Sequence, residues 1–504
     1  MTGKRAFGDF QTPLDFADCV CKFLKEKYKI KPDVVLEPTC GVGNFLQSSL
    51  RFQAKAYFGI EINPDYCKAS QEKITDTRLQ IINEDFFQFD LRKIQADNTL
   101  IIGNPPWVNN STLAALKANN LPKKNNFKGI KGINAITGES NFDICEYIIL
   151  QLIYAFHNTN SLLAMLCKTS VARNIFQELK RQHINAYSYD VFEFDAKKIF
   201  DISASACLMV IRFGKDSKLS DVCNVYDLDD LEHLKYTFGY RNQKFYSNLK
   251  TYIDNFEGES CFEWRQGVKH DCSKIMELSC INDKFINGFK EIVDIEDDLV
   301  FPLVKSSMFK RAILKEFSKF VIVTQKKIKQ ETDYIKMSFP LTWKYLYQYK
   351  DKFDGRKSSI YRGAPPFSMF GIGDYSYARY KVGISGFYKE PLFSILYSST
   401  GKPVMTDDTA YFICLPTYDT AYVAMLYLNS QLVIEFLKSI AFLDAKRPYT
   451  KKVLARLDFQ KIVTQISFAE LKKTESRLCL PSYLEASMID EFKFLPEMQH
   501  RGLF

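Results

Sequence analysis

The chain of 504 residues holds 13 cysteines but no Cys-x-x-Cys pair. Zinc ribbons and fingers depend on such closely spaced thiolates, so no metal site is assigned. The one cluster that could be imagined, Cys261, His270, Cys272 and Cys280, reads as core packing. Also missing is an apolar N-terminal stretch. Met1 to Phe10 contains Lys4, Arg5 and Asp9, which is not a secretion signal. Reduced thiols are then expected, and a secreted disulfide framework is not. No apolar run is long enough to span a membrane. The longest, Ala421 to Leu437, is interrupted by Asn429, Gln431 and Glu435 and predicts a buried helix. With 22 Gly and 17 Pro the chain is neither collagen-like nor of low complexity, and no repeat recurs at a solenoid period. The expectation is a soluble, cytoplasmic monomer of two or three domains, each with its own core.

What is present is unevenly distributed. Lys and Arg number 68 and Asp and Glu 59, a net charge of +9. Residues 216–300 hold 10 basic and 18 acidic side chains, whereas residues 301–460 hold 25 and 13. The basic block is interleaved with aromatics such as Tyr345, Tyr349, Tyr361, Phe370 and Tyr375. That mixture suits phosphate contacts with stacking at bases, and equally a solvated basic face over an aromatic core.

Residues 1–215 alternate short apolar runs with helical patterns, which predicts βαβ units around a parallel sheet. A helix is expected from Asp15 to Tyr28, with strands at Val34–Leu36, Tyr57–Ile60, Leu79–Ile82, Leu100–Ile102, Leu162–Leu166 and Cys207–Phe213. The acidic cluster Asp227, Asp229, Asp230 and Glu232 marks residues 216–240 as a linker. A second domain is expected over residues 241–480, and residues 481–504 as a tail.

The first strand runs through Glu37-Pro38-Thr39-Cys40 into Gly41-Val42-Gly43-Asn44-Phe45. Glycines there let the backbone take positive φ and approach a ligand, and a helix starting at Asn44 would turn its first N–H groups toward that crevice. Glu61 closes the second strand 18 residues after Gly43, where a carboxylate can accept from both ribose hydroxyls of a nucleoside cofactor. Asp85 follows the third strand, in reach of an adenine amino group. Singly, each acid reads as a cap or loop charge; their order and spacing point to a site.

The fourth strand ends in Gly103-Asn104-Pro105-Pro106-Trp107. An exocyclic amine on a base is a poor nucleophile because its lone pair is delocalised into the ring. Two acceptors, the Asn104 side-chain oxygen and the Pro105 carbonyl, would grip its hydrogens and localise the lone pair. Pro105 and Pro106 fix φ and keep the acceptors preorganised, and Trp107 offers a face for a planar base.

In this order the elements resemble the catalytic domain of gamma-class N6-adenine DNA methyltransferases of restriction–modification systems. The resemblance covers the first 215 residues. It rests on Phe10-Gln11-Thr12-Pro13, the Leu36–Phe45 glycine segment, Glu61 with Ile62, Asp85 with Phe86, Asn104 to Trp107, Asn141-Phe142-Asp143, and Phe200 before the strand-like segment from Ser203 to Phe213. It implies an α/β fold, a doubly wound Rossmann-like methyltransferase sheet with a C-terminal mixed α+β target-recognition domain. It implies S-adenosyl-L-methionine as cofactor, held by Gln11, Thr12, Pro13, Glu37, Pro38, Cys40, Gly41, Gly43, Phe45, Glu61, Ile62, Asp85, Phe86 and Asn104. It implies catalysis by Asn104, Pro105, Pro106 and Trp107, with Phe200 against the base. At Phe200 the family commonly has a Lys-containing link, where this chain has Asp201-Ile202-Ser203. The expected partner is duplex DNA, contacted by Arg356, Lys357, Tyr361, Arg362, Lys446 and Arg447, with a separately encoded cognate restriction endonuclease. A motif beginning at residue 10 leaves no room before it for a fused nuclease. The same catalytic string serves RNA adenine methylation and release-factor glutamine methylation, and a catalytically dead nucleic-acid-binding module is a further alternative.

Overall fold

The computed structural model describes residues 10–108, 143–249, 256–282 and 284–500, so Asn141 and Phe142 lie outside the described residues. The chain divides into two compact units, residues 1–245 and 246–504.

The first unit is built on a ten-stranded sheet. In chain order its elements are α1 (Leu14–Tyr28), β1 (Val34–Glu37), α2 (Asn44–Ser49), β2 (Ala56–Glu61), α3 (Pro64–Lys73), β3 (Leu79–Asn83) and β4 (Thr99–Gly103). After these come α4 (Ile144–Phe156), β5 (Leu162–Lys168), α5 (Thr169–Arg181), β6 (Ala186–Asp195), α6 (Ala196–Phe200) and β7 (Ser205–Phe213). The last strands are β8 (Val222–Asp227), β9 (Asp230–Arg241) and β10 (Lys244–Tyr246). The strand order is β10-β9-β8-β6-β7-β5-β4-β1-β2-β3. β3, β2, β1, β4 and β5 are mutually parallel, and β7 runs antiparallel to both β5 and β6. The central strands are continuous apolar runs because both faces are covered: Leu100, Ile101, Ile102, Leu163, Ala164 and Met165 are fully buried.

Two boundaries differ from the sequence expectation. Residues 216–240 are not a linker: β8 and β9 form a hairpin that extends the sheet, with the acidic cluster at its turn and along its exposed start. Residues 481–504 are not a peripheral tail either. Ala486–His500 is a helix whose Met488, Ile489, Phe492 and Leu495 enter the core of the second unit.

That second unit holds a five-stranded sheet (Arg265–Gln266, Ala410–Leu415, Tyr380–Ser385, Phe393–Leu396, Ile313–Leu314). A six-stranded sheet runs Ile292–Val293, Lys284–Ile286, Glu277–Ile281, Lys319–Ile322, Val300–Val304, Met405–Thr406. The apolar stretch expected as one helix is two, Tyr418–Leu428 and Gln431–Ile440, bent by 62°. The break follows from Asn429, whose Nδ2 donates to the Phe393 carbonyl at 2.8 Å while its Oδ1 accepts from the Phe393 amide at 3.0 Å. Among the described residues no single helix is long and apolar enough to cross a membrane.

Candidate active site

Four neighbouring parallel strands, β4, β1, β2 and β3, deliver their C-terminal ends to one edge of the sheet, where α/β folds place ligands. A cavity of about 610 Å³ opens there, within the range of small-molecule sites. Gln11, Thr12, Glu37, Pro38, Cys40, Gly41, Phe45, Glu61, Ile62, Asp85, Phe86, Asn104 and Pro106 line it. Pro13, Gly43, Pro105, Trp107 and Phe200 are not among the lining residues.

The glycine turn has the conformation its residues allow. Gly41 has φ 51° and Gly43 φ 72°, both in the left-handed region. A Cβ on Gly41 would lie 2.3 Å from Gln11 Oε1 and would be strained at that φ, so a side chain there would displace Gln11. The Gly41 amide donates to Glu61 Oε2 at 2.8 Å, and the Ser70 hydroxyl donates to the Gly41 carbonyl at 2.9 Å. Glu61 Oε1 accepts from the Asn63 amide at 2.8 Å, so this carboxylate is held in place from both sides. Gln11 Oε1 accepts from the Val42 amide at 3.1 Å, and Asn44 Nδ2 donates to the Thr12 carbonyl at 2.6 Å. Through these two bonds the segment before α1 forms a wall of the cavity. Asp85 Oδ1 accepts from the Phe87 amide at 3.0 Å, which orients the third-strand acid. Glu37 is buried behind the turn, and its Oε2 accepts from the Leu46 amide at 3.1 Å. Burial pushes its carboxyl well above the usual range, against the Leu46 amide and with the charge of Glu61 adding to the rise.

Asn104 is the most informative side chain. Its Nδ2 donates to the Phe10 carbonyl at 2.9 Å. A carbonyl only accepts, so this bond fixes which end of the amide is nitrogen and which is oxygen. Oδ1 is buried and has no hydrogen-bond partner among the described residues. An orphaned buried acceptor is costly and is explained most directly by a donor that arrives with a ligand.

The aromatic residues are brought together, though not as an open stacking slot. Trp107 is only 6% exposed. Its ring meets Phe200 edge-on, with centroids 5.7 Å apart at 71°, and Phe10 at 6.3 Å. Phe10 and Phe200 are themselves 6.3 Å apart. The face expected for a base is therefore taken up by this triad, because apolar rings bury one another when nothing else covers them.

Lys168, which no motif includes, and Asp143, the last residue of the Asn141-Phe142-Asp143 motif, tie this region together. Lys168, at the end of β5, reaches Asp143 Oδ2 at 2.6 Å and the Trp107 carbonyl at 3.3 Å. Asp143 caps α4 by accepting from the Cys145 amide, and Ile144 and Ile148 of that helix line the cavity. Burial raises the Asp143 carboxyl while Lys168 opposes the rise. The available signal was a lone lysine closing the otherwise apolar strand Leu162–Cys167. Phe10 stands within the entry motif, but its contribution is a backbone carbonyl, which residue type does not reveal.

In the second unit the six expected DNA contacts separate into kinds. Arg356 donates to the carbonyls of Phe353 at 3.0 Å, His270 at 3.2 Å and Ser368 at 2.6 Å, and lies 3.7 Å over the Tyr361 ring. Arg356 and Tyr361 are half-buried, and three of the five guanidinium N–H groups are spent on carbonyls, which leaves Nη2 to the Ser368 hydroxyl at 3.5 Å. Lys357 and Arg362 are exposed. Lys446 and Arg447 lie over the Phe387 ring at 5.9 and 5.2 Å, and Arg447 also donates to the Asp408 carbonyl. Among the described residues no group of three or more His, Cys, Asp or Glu is placed to hold a metal ion.

The chain is similar to several known proteins. The chain is 40% identical over 469 residues to the type II methyltransferase M.NspV of Nostoc sp., covering 91% of this chain and 97% of that relative. It is 25% identical over 208 residues to the modification methylase CviBIII of Paramecium bursaria Chlorella virus NC1A, covering 41% of this chain and 49% of that one. Among solved structures, the type IIL restriction-modification enzyme MmeI in complex with DNA shares the fold. Its TM-score is 0.53 at 13% identity, over 97% of this chain and 76% of that one. No family model matches the chain.

Proposed function

The chain belongs to the type II DNA methyltransferases of restriction–modification systems, and we propose that it methylates the N6 amine of an adenine rotated out of duplex DNA, with S-adenosyl-L-methionine as donor. The observation that carries this reading is the orphaned Asn104 Oδ1. It is a preorganised acceptor at the edge of a cavity that also holds Glu61 and Asp85.

The residues present fit the cofactor. The glycine turn makes room for a backbone-close ligand, Glu61 is a clamped acceptor for ribose hydroxyls, and Asp85 beside Ile62 and Phe86 suits the edge and faces of an adenine ring. When bound, the sulfonium supplies an electrophilic methyl group and leaves as a neutral thioether.

The chain's own part is positioning. Asn104 Oδ1 and the Pro105 carbonyl accept hydrogen bonds from the two amine hydrogens of the target, which holds its lone pair toward the donor. The nitrogen, cationic once its bond to the methyl forms, is acidic enough to lose one proton to water without a carboxylate base. The Phe10–Asn104 bond keeps Oδ1 turned to the target at no further reorganisation cost. An amine inside a duplex is out of reach, so the base must leave the stack. Trp107 and Phe200 then separate from each other and pack against the extruded ring.

Residues 246–504 would carry target recognition. Lys357 and Arg362 are suited to phosphates by their exposure and charge. Expressing the chain in cells without adenine modification and reading modified bases across the genome tests the proposal. Methyl marks on adenine at one recurring sequence support it; marks confined to cytosine, to RNA, or absent altogether would sink it.

A further inference from the structure

A second cavity, of about 540 Å³, lies wholly within residues 246–504 and shares no residue with the cavity at the strand ends. It is lined by residues 268–271, Ser273, Glu277, residues 305–307, Phe387 and residues 407–409. The backbone around it is tightly held. The Val268 amide donates to the Thr406 carbonyl at 2.7 Å, and a Cβ on Gly267 would fall 2.2 Å from the Asp407 carbonyl oxygen. Lys305 is engaged by both oxygens of Glu277, at 3.0 and 2.7 Å. Lys269 has only Asp271, at 3.8 Å, as an ion-pair partner among the described residues.

The unusual group is Asp407, 8% exposed. Its Oδ1 accepts from the Thr409 amide at 3.1 Å and from the Thr409 hydroxyl, an ordinary turn. Its Oδ2 makes no hydrogen bond among the described residues, and Asp407 is one of the residues lining the cavity. Asparagine would hold the same turn without desolvating a charge, so the turn alone does not account for a buried carboxylate. Burial raises the Asp407 carboxyl, opposed by the Thr409 bonds and by the nearby charge of Lys305.

The cavity offers the Asp407 acceptor and the loosely held Lys269 ammonium beside Asp271, Glu277 and Asp408, with Phe387 as an aromatic wall under Lys446 and Arg447. That combination is suited to the edge of a base pair, which presents both donors and acceptors. A phosphate would ask for positive charge alone. We propose that this cavity reads one C·G pair of the methylation target, with Asp407 Oδ2 accepting from the cytosine N4 amine and Lys269 donating to the guanine acceptors. The inference rests on duplex DNA being the substrate.

The Asp407→Asn variant keeps Oδ1 for Thr409 and turns the other atom from acceptor to donor. Wild type, Asp407→Asn and Lys269→Ala are expressed in cells free of background modification, and methylated sequences are read across the genome. The expected result is about a tenfold or greater drop at the wild-type sequence for Asp407→Asn. New sites should appear in which that cytosine is replaced by a base offering an acceptor. Lys269→Ala should relax the same position, which decides the matter should Asp407→Asn fail to fold. Unchanged sequence preference in both variants overturns this inference while leaving the methyltransferase reading standing. No methylated DNA with the wild type overturns both.

Discussion

Asn104 donates its amide nitrogen to the carbonyl of Phe10, 94 positions earlier in the chain, across 2.9 Å. One side-chain atom is thereby committed to structure and the other is left buried without a partner among the described residues. The division makes the side chain a fixed acceptor, which is what gripping an amine requires. Replacing Asn104 by Ala should lower methyl transfer to DNA by about a hundredfold or more, the scale of losing one preorganised polar group. Affinity for S-adenosylmethionine should stay within a few-fold. Labelled-methyl incorporation and calorimetry measure the two separately.

Glu61 is clamped by the amides of Gly41 and Asn63. Glu61→Gln retains one acceptor oxygen and replaces the other with a donor, which then faces an amide N–H. Cofactor affinity should fall about tenfold or more, the cost of losing a hydrogen bond to a charged group. Saturating cofactor should restore most of the turnover, and steady-state titration of the cofactor would show it.

Arg356 holds three carbonyls and covers Tyr361, whereas Lys357 and Arg362 are exposed. Arg356→Ala should cost about 2–3 kcal/mol of stability in urea unfolding, because buried carbonyls lose their donor. The Lys357→Ala, Arg362→Ala pair should leave stability within about 0.5 kcal/mol. It should weaken DNA binding and reduce the salt slope by roughly 0.9 for each phosphate that is no longer neutralised.

Glu475 links the helix Phe468–Arg477 to the segment that enters the last helix. Burial raises its pKa, but Lys472, the amides of Tyr483 and Leu484 and the Tyr422 hydroxyl outweigh that and bring it down to about 2. A carboxyl lowered by folding stabilises above its unfolded value near 4.5, and that stability is lost as pH falls through 4.5 toward 2. Wild type should exceed Glu475→Gln by about 3 kcal/mol at pH 7, and the gap should close at the acid end of that window. Chemical unfolding at pH 7 and pH 3 tests the sign.

The sheet's centre was legible in the sequence because strands buried on both faces must be uninterrupted apolar runs, as at Leu100–Ile102 and Leu162–Leu166. The residues lining the cavity at the strand ends were legible because such positions restrict them to few types. β8 and β9 were not, since half-solvated strands such as Asp230–Arg241 lack such a run and their acidic turn imitates a linker. Nor could composition separate Arg356 from Arg362. Both belong to one basic segment, and only packing shows that the first is spent on carbonyls. The carbonyl of Phe10 and the reach of Lys168 across to Trp107 depend on tertiary approach, which local pattern does not encode.

The helix Ala486–His500 bears on how the protein is made. Phe262, near the start of the second unit, stacks on Phe492 with centroids 6.0 Å apart, and Leu484, Met488 and Leu495 complete the same core. A ribosome delivers residues in order, and everything the first unit's sheet needs has been synthesised by residue 246. The second unit must wait for the helix Ala486–His500, so its apolar faces stay exposed until that helix is made. Nascent-chain aggregation and chaperone capture should therefore concentrate on residues 246–504, with the first unit already folded ahead of them.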